Sequence, residues 1–256
     1  MTPRDPAYLT QLGLEDGRLP RHVAVIMDGN GRWAVERGLP RVEGHRRGAE
    51  AVRRAVTECC RLGLGQLTLY CFSAENWKRP PAEVAFLMAL LKEFLIGERQ
   101  LIRDENIRLR IIGRREGIPE DVQAEMDRSI GESAANSGLT LCLAINYGGR
   151  TEIVDACRAV AARVALGELA ADAVEEADIE AGLYTAGMPD PDLLVRTAGE
   201  LRISNYLLWQ ISYAELWVTP DCWPDFGPAH LHAALRDFAG RDRRFGGLAN
   251  VQGPAC

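Results

Sequence analysis

Asp28 closes a run of five apolar residues, Val23 to Met27, and is followed by Gly29, Asn30, Gly31 and Arg32. An aspartate before a glycine serves as a helix N-cap or a turn former. The residues after it widen the reading. Glycines let backbone N–H groups approach a ligand closely, those amides favour an anion at a helix start, and Arg32 offers a fork of donors suited to phosphate oxygens. A carboxylate in such company repels the anion unless a cation lies between them. Mg²⁺ bound by one carboxylate, substrate phosphates and water meets that requirement. These residue types therefore describe a site for a metal-bound diphosphate.

Further polar clusters extend the argument. Arg41 and His45, in "RVEGHRRGA", enter a helix at the end where an anion is favoured. Arg46, Arg47, Arg53 and Arg54 lie opposite the stripe Val52, Ala55, Val56, Cys59, Cys60 and read as a solvated face. In "FSAENWKRP", Ser73, Glu75, Asn76, Trp77 and Arg79 are either turn formers or a cover for a cationic or apolar reacting centre. Arg196, Glu200, Arg202, Ser204 and Asn205 form surface ion pairs or clamp a second anion. The stretch "EVAFLMALLKEFLI", 83–96, is either buried all round or set with one face on a sheet and another along an apolar channel. Diphosphate grips beside a greasy channel would suit isoprenoid diphosphates.

The elements that must position these residues alternate between two patterns. Strand-like runs lie at 23–27, 66–72, 107–112, 139–145, 192–196 and 215–218; helical periodicity marks 45–62, 82–105, 119–135, 150–166 and 229–240. The alternation predicts a single α/β domain with a central, mostly parallel six-stranded sheet flanked by helices. Ligands of open parallel sheets collect beyond the carboxyl ends of the strands. The clusters after the first, second and fifth strands converge on that rim.

Composition narrows the classes. The chain has 256 residues and a formal charge of −6, which gives no general attraction for nucleic acid. Its opening, "MTPRDPAYLTQLGLEDGRLP", lacks the basic end and apolar run of a signal peptide, so a cytoplasmic location is expected. Seven cysteines, mostly in apolar periodic segments, read as structural thiols, and the four histidines show no zinc spacing. Lysine occurs only at Lys78 and Lys92, and no P-loop sequence is present.

The segments "HVAVIMDGNGRWA", "RVEGHRRGA", "CFSAENWKRP", "NYGGRTEI" and "DLLVRTAGELRISNYLLWQISYAELWVTPDCWPDF" together resemble the cis-prenyltransferases, and among them the bacterial undecaprenyl diphosphate synthases. The resemblance implies a family domain over 21–247, with residues 1–20 as an N-terminal extension and 248–256 as a flexible tail. It implies a homodimer, transient membrane contact for product release, and an apolar tunnel between sheet and helices. The implied reaction is repeated condensation of isopentenyl diphosphate onto an allylic diphosphate, commonly farnesyl. The implied product is a long Z-polyprenyl diphosphate such as undecaprenyl diphosphate, the lipid carrier for cell-wall sugars, with a shorter-chain cis-prenyl diphosphate as the alternative.

Carried over by motif, Asp28 is the metal and catalytic residue, and Gly29, Asn30, Gly31, Arg32, Trp33, Arg41 and His45 belong to the allylic diphosphate site. Ser73, Ala74, Glu75, Asn76, Trp77 and Arg79 lie beside the reacting carbons, with Asn76 helping proton removal. Arg196, Arg202, Ile203 and Ser204 match the isopentenyl diphosphate site. Glu215 is implied as a second metal contact, Arg244 and Gly246 as residues reaching the neighbouring subunit, and Cys71 and Leu139 as determinants of chain length. Leu201 stands where some relatives carry a metal-binding histidine, and Ala198 replaces a common glycine.

Rival classes fit less well. A haloacid-dehalogenase-like phosphatase needs a second aspartate two positions after the first, where this chain has Asn30. Trans-prenyltransferases carry aspartate-rich D-D-x-x-D motifs, and no D-D pair occurs. An inactive partner subunit of the same family would be expected to lose the first motif, whereas Asp28, Arg32, Asn76 and Arg202 all persist.

Overall fold

The first apolar run becomes a strand buried on both faces: Val23 and Val25 join one core cluster, Ala24 and Ile26 the other. Period-two alternation of side chains is the reason, since a strand covered by helices on both sides has no polar face to offer. The computed structural model describes residues 5–242. Strands β1 (His22–Ile26), β2 (Gln66–Ser73), β3 (Arg108–Ile112), β4 (Thr140–Tyr147), β5 (Leu193–Arg196) and β6 (Glu215–Val218) form one sheet. Its order is β3-β4-β2-β1-β5-β6, and every neighbouring pair is parallel.

Helices among the described residues are α1 (Pro6–Gln11), α2 (Asn30–Glu36), α3 (Arg41–Arg61), α4 (Pro81–Gly97), α5 (Arg99–Asp104), α6 (Glu120–Ser133), α7 (Gly149–Ala165), α8 (Glu176–Gly182) and α9 (Pro228–Ala239). The larger cluster packs Val52 and Val56 of α3, Met88 and Leu95 of α4, Met126 of α6 and Leu235 of α9 on one face of the sheet. On the other face, Cys142, Ala144 and Tyr147 of β4 meet Tyr206, Leu207 and Ile211.

The chain builds to one side of β1 as far as β4, then crosses to add β5 and β6 on the other side. Such a reversal opens a crevice outside the carboxyl ends of the strands. It falls between β1 and β5, where Asp28 and Arg196 emerge.

Three differences from the sequence-based expectation have local causes. The helix expected over 82–105 is two helices, because the chain turns at Gly97 and Glu98; the buried Glu98 carboxylate accepts from Arg53 Nε at 3.0 Å. Arg53 and Arg54 do more than face water, since Arg54 also donates to the Pro224 carbonyl at 2.7 Å. The N-terminal stretch carries α1, capped by Asp5 Oδ1 accepting from the Ala7 amide at 2.9 Å, and buries Leu9, Leu14 and Leu19 in the larger cluster. Arg244, Gly246 and the tail at 248–256 lie outside the described residues.

Candidate active site

Thr197 and Trp223 fix the backbone at Asp28. The Thr197 hydroxyl donates to the Asp28 carbonyl at 2.7 Å, and the same oxygen accepts from the Trp223 amide at 2.9 Å. Gly29 follows with φ +96°, and a Cβ there would stand 2.8 Å from Cys222 Sγ and 2.9 Å from Ala198 Cβ. Only glycine fits that combination of left-handed backbone and close approach. The Gly29 amide is already committed, donating to Asp28 Oδ1 at 2.7 Å.

Arg196, only 5% exposed, is the hub of the site. It donates through Nη2 to Asp28 Oδ2 at 2.8 Å and through Nη1 to Ser204 Oγ at 2.7 Å and to the Arg202 carbonyl. Arg32 lies 3.7 Å from Asp28 and 3.3 Å from Glu200, which also pairs with Arg202. Burial pushes the Asp28 carboxyl up, but the Arg196 hydrogen bond, the Gly29 amide and the two arginines outweigh it and hold the group below the usual aspartate range. The first and third polar clusters of the sequence are thus one continuous network.

The second cluster faces a cavity between the sheet, α3 and α4. It encloses about 910 Å³ of empty space, part of it open to solvent, and Asn30, His45, Asn76 and Arg79 supply its polar wall. Val52, Cys71, Leu87, Met88, Leu91 and Phe94 supply the apolar remainder. The apolar stretch at 83–96 therefore takes the second of its two readings, with α4 lining an apolar space as well as packing on the core.

At the polar end Glu83, which the sequence reading did not single out, accepts from Arg79 Nη1 at 2.9 Å. It also lies 3.8 Å from Arg41 Nε and 3.7 Å from His45 Nε2. Its i,i+4 spacing from Arg79 was the available signal. Arg41 also lies over Gly31, where a Cβ would come within 2.6 Å of the guanidinium carbon. Asn30 Oδ1, His45 Nε2 and Arg196 Nε are buried with no hydrogen-bond partner. Orphaned polar atoms at that density mark a site built for a polar guest.

Asn76 and Ser73 close a reciprocal cap: the Ser73 amide donates to Asn76 Oδ1 at 3.1 Å. One acceptor site of the Asn76 oxygen is thereby used, and Asn76 itself lines the cavity. Glu75 accepts from Asn205 Nδ2 at 2.8 Å, while Ala74 packs beside Gly148. Ile203 is exposed on the loop between Arg202 and Ser204.

Other expected residues stand elsewhere. Trp33 donates to Asp225 Oδ1 at 2.8 Å beneath Arg37, on the outside of α2, because its helical position points away from the cavity. Trp77 packs behind the wall and does not line it. Cys71 lines the cavity, whereas Leu139 is buried in the core just before β4. Glu215 opens β6 at the amino end of the sheet, in register with Leu193, and accepts from Arg241 at 2.7 Å. Leu193 is three residues before Arg196, roughly 10 Å of strand. Within one chain Glu215 cannot share an ion with Asp28.

Burial, with Arg79 and Arg41, lowers His45 to about 4, and burial lowers His22 to about 4. Both rings are neutral near pH 7. Their folded values lie below the unfolded value, so the stability they protect is complete above about 6.5 and is lost as pH falls toward 4, by up to about 1.4 kcal/mol per unit for each. Urea midpoints at pH 7 and pH 5 check this. Replacing His45 with Gln is expected to remove part of the acid-induced drop, and an unchanged drop would contradict the assignment.

No group of three or more His, Cys, Asp or Glu among the described residues could hold a metal alone. One half-exposed carboxylate beside phosphate-binding donors nevertheless fits Mg²⁺, which keeps waters and takes substrate phosphates as ligands. Sheet, crevice and cavity together define a parallel α/β enzyme for a guest with an anionic head and a hydrocarbon tail. Residues 26–246 match the family model described as "Putative undecaprenyl diphosphate synthase". The isoprenyl transferase of Rhodopirellula baltica is 54% identical over 94% of this chain and 98% of its own, and that of Heliobacterium mobile 49% identical over 92% and 90%. The crystal structure of lavandulyl diphosphate synthase from Lavandula x intermedia, in complex with dimethylallyl diphosphate, superposes with a TM-score of 0.88 at 39% identity, over 90% of this chain and 99% of that one. The chain belongs to the undecaprenyl diphosphate synthase family of cis-prenyltransferases, and its activity is isoprenyl transfer.

Proposed function

We propose that this chain extends farnesyl diphosphate with successive isopentenyl diphosphates in Mg²⁺-dependent steps. The product is a long Z-polyprenyl diphosphate of undecaprenyl type, used as a lipid carrier in cell-wall synthesis. The observation that carries the reading is the cavity itself, whose polar end at Asn30, His45, Asn76 and Arg79 runs into walls of Leu, Met and Phe. A diphosphate at that end leaves its hydrocarbon nowhere to go but along α3 and α4.

Asp28 is the carboxylate for the metal, which when bound offsets negative charge on the diphosphate. Breaking the allylic C–O bond places further negative charge there and cationic character on carbon. Arg32, Arg41 and Arg79 hold the oxygens that gain charge, and Asn76 donates to one of them. Arg196, Arg202 and Ser204 seat isopentenyl diphosphate. The contact between Arg196 and Asp28 supports seating the two head groups side by side, which would supply proximity for carbon–carbon bond formation. The proton lost from the isopentenyl unit passes to a departing diphosphate oxygen.

A homodimer is supported by the edge strand β6, which among the described residues pairs with no strand beyond it and leaves Leu216 exposed. An apolar product also calls for brief contact with a membrane. Among the described residues no helix is long and apolar enough to cross one.

Incubation with farnesyl diphosphate, labelled isopentenyl diphosphate and Mg²⁺, followed by chromatographic sizing of the lipids, tests the reading. A ladder ending near undecaprenyl length supports it; products of only one or two additions would assign a short-chain synthase. Cys71, its thiol pushed up to about 12 by burial, is a neutral wall residue of the cavity. Cys71→Leu narrows the space and is expected to shift the ladder to shorter lipids. An unchanged ladder would remove Cys71 from the path of the growing chain.

A further inference from the structure

The turn Ala74–Lys78 brings Asn76, and just beyond it Arg79, to the cavity wall. Its own reciprocal cap fixes the start of the turn but not how the turn sits against the sheet. The bond from Asn205 to Glu75 fastens the first half of the turn; its second half, which carries Trp77, is fastened by Asn146 near the end of β4. Its backbone has φ +49°, a region open to asparagine and closed to most side chains. Its amide is fully used: Oδ1 accepts from the Trp77 indole N–H at 2.7 Å, and Nδ2 donates to the carbonyls of Arg114 at 3.1 Å and Glu116 at 3.0 Å. Trp77 also packs edge-on against Phe72, ring centres 5.0 Å apart, and lies next to Gly117, where a Cβ would be 3.5 Å from the indole. The indole is therefore held by Asn146 itself, by the 114–117 segment that Asn146 fastens, and by Phe72, and its chain neighbour Asn76 is held with it.

We propose that Asn146 is a positioning residue for isoprenyl transfer, fixing through Trp77 the turn that presents Asn76 and Arg79 to the allylic diphosphate. The inference rests on reading the polar end of the cavity as the allylic site. A residue that served only the fold would close the segment at 114–116 and nothing more. One that serves the reaction must pass its effect through the indole N–H.

Asn146→Gly keeps the left-handed backbone and deletes the amide. It is expected to lower kcat/KM for the allylic diphosphate by about 10- to 100-fold, the scale of misplacing reacting groups by an ångström. KM for isopentenyl diphosphate should stay within about twofold, because the Arg196 network is untouched, and thermal melting should change little. Asn146→Asp keeps an acceptor for Trp77 and should recover part of the loss. Trp77→Phe deletes the N–H and leaves the bonds to 114 and 116 in place. In that background Asn146→Gly should cost less than about twofold more.

Allylic kcat/KM within twofold of wild type for Asn146→Gly would overturn the proposal, as would independent, multiplying losses in the double variant. Should Asn146→Gly fail to fold, Trp77→Phe alone decides: wild-type kinetics would sink it. A wild-type enzyme that makes no lipid in the same assay would instead count against the proposed reaction.

Discussion

Asp28→Asn is expected to lower kcat by about 10³-fold at saturating Mg²⁺ while the protein remains folded. Asparagine keeps the shape of the side chain and an acceptor for the Gly29 amide, 2.7 Å away, but loses the charge that a metal needs. The choice of Asn over Ala follows from the structure. Among the described residues Asp28 is the only carboxylate hydrogen-bonded to the buried guanidinium of Arg196, at 2.8 Å. Asn and Ala alike leave that cation without its counter-charge, at a cost approaching the roughly 3–5 kcal/mol of a broken buried pair; Asn keeps the side-chain volume and one acceptor oxygen and so disturbs the fold less, and lost activity must be read against lost stability. Single-turnover kinetics with a parallel thermal melt separate them. Turnover near wild type would remove the metal role of Asp28.

Arg196→Lys is the second large effect, an expected loss of about 10²-fold or more in kcat/KM for isopentenyl diphosphate. The fork of Arg196 reaches Asp28 Oδ2 with one nitrogen and Ser204 Oγ and the Arg202 carbonyl with the other. A lysine ammonium is a compact, strongly hydrated point charge and cannot span the same three acceptors. Both consequences fall on the site. The loop at 202–204 loses its anchor, and the Asp28 carboxyl loses the strongest of the contacts that hold its pKa down, so it rises. Activity should therefore fall further on the acid side than it does in the wild type. Steady-state kinetics from pH 8 down to the most acid pH at which both proteins stay folded, varying each substrate in turn, check both points; an unaltered profile with only a raised KM would mean that Arg196 binds substrate without tuning Asp28.

The inner strands were legible because they are buried on both faces and read as almost wholly apolar runs, Val23–Met27 above all; the edge strands β3 and β6 keep exposed positions. The carboxyl rim was legible because the polar clusters begin where those runs end. Strand order was not, because nothing local in "DLLVR" says that it lies beside β1 and not beside β4. That order is what joins Asp28 to Arg196, 168 positions apart in sequence. Short elements escaped as well: α1 and α8 have too few turns for periodicity to register. Residues that act by holding others escaped most completely. Glu83 looked like one polar residue at the start of a greasy helix, and Asn146 like part of a glycine turn; their partners, Arg41 with His45 and Trp77, come from other segments. Glu215 shows the converse. Its motif resembles that of a metal ligand, yet its place at the amino end of β6 separates it from Asp28 within a chain.

A crystal structure with Mg²⁺, a non-hydrolysable farnesyl thiodiphosphate and isopentenyl diphosphate tests the central claim most directly. The account predicts a metal about 2.0–2.1 Å from an Asp28 oxygen and from diphosphate oxygens. It also predicts the prenyl tail between α3 and α4 beside Cys71, and the second diphosphate on Arg196, Arg202 and Ser204. Both diphosphates seated away from Asp28, or a tail lying outside that cavity, would contradict it.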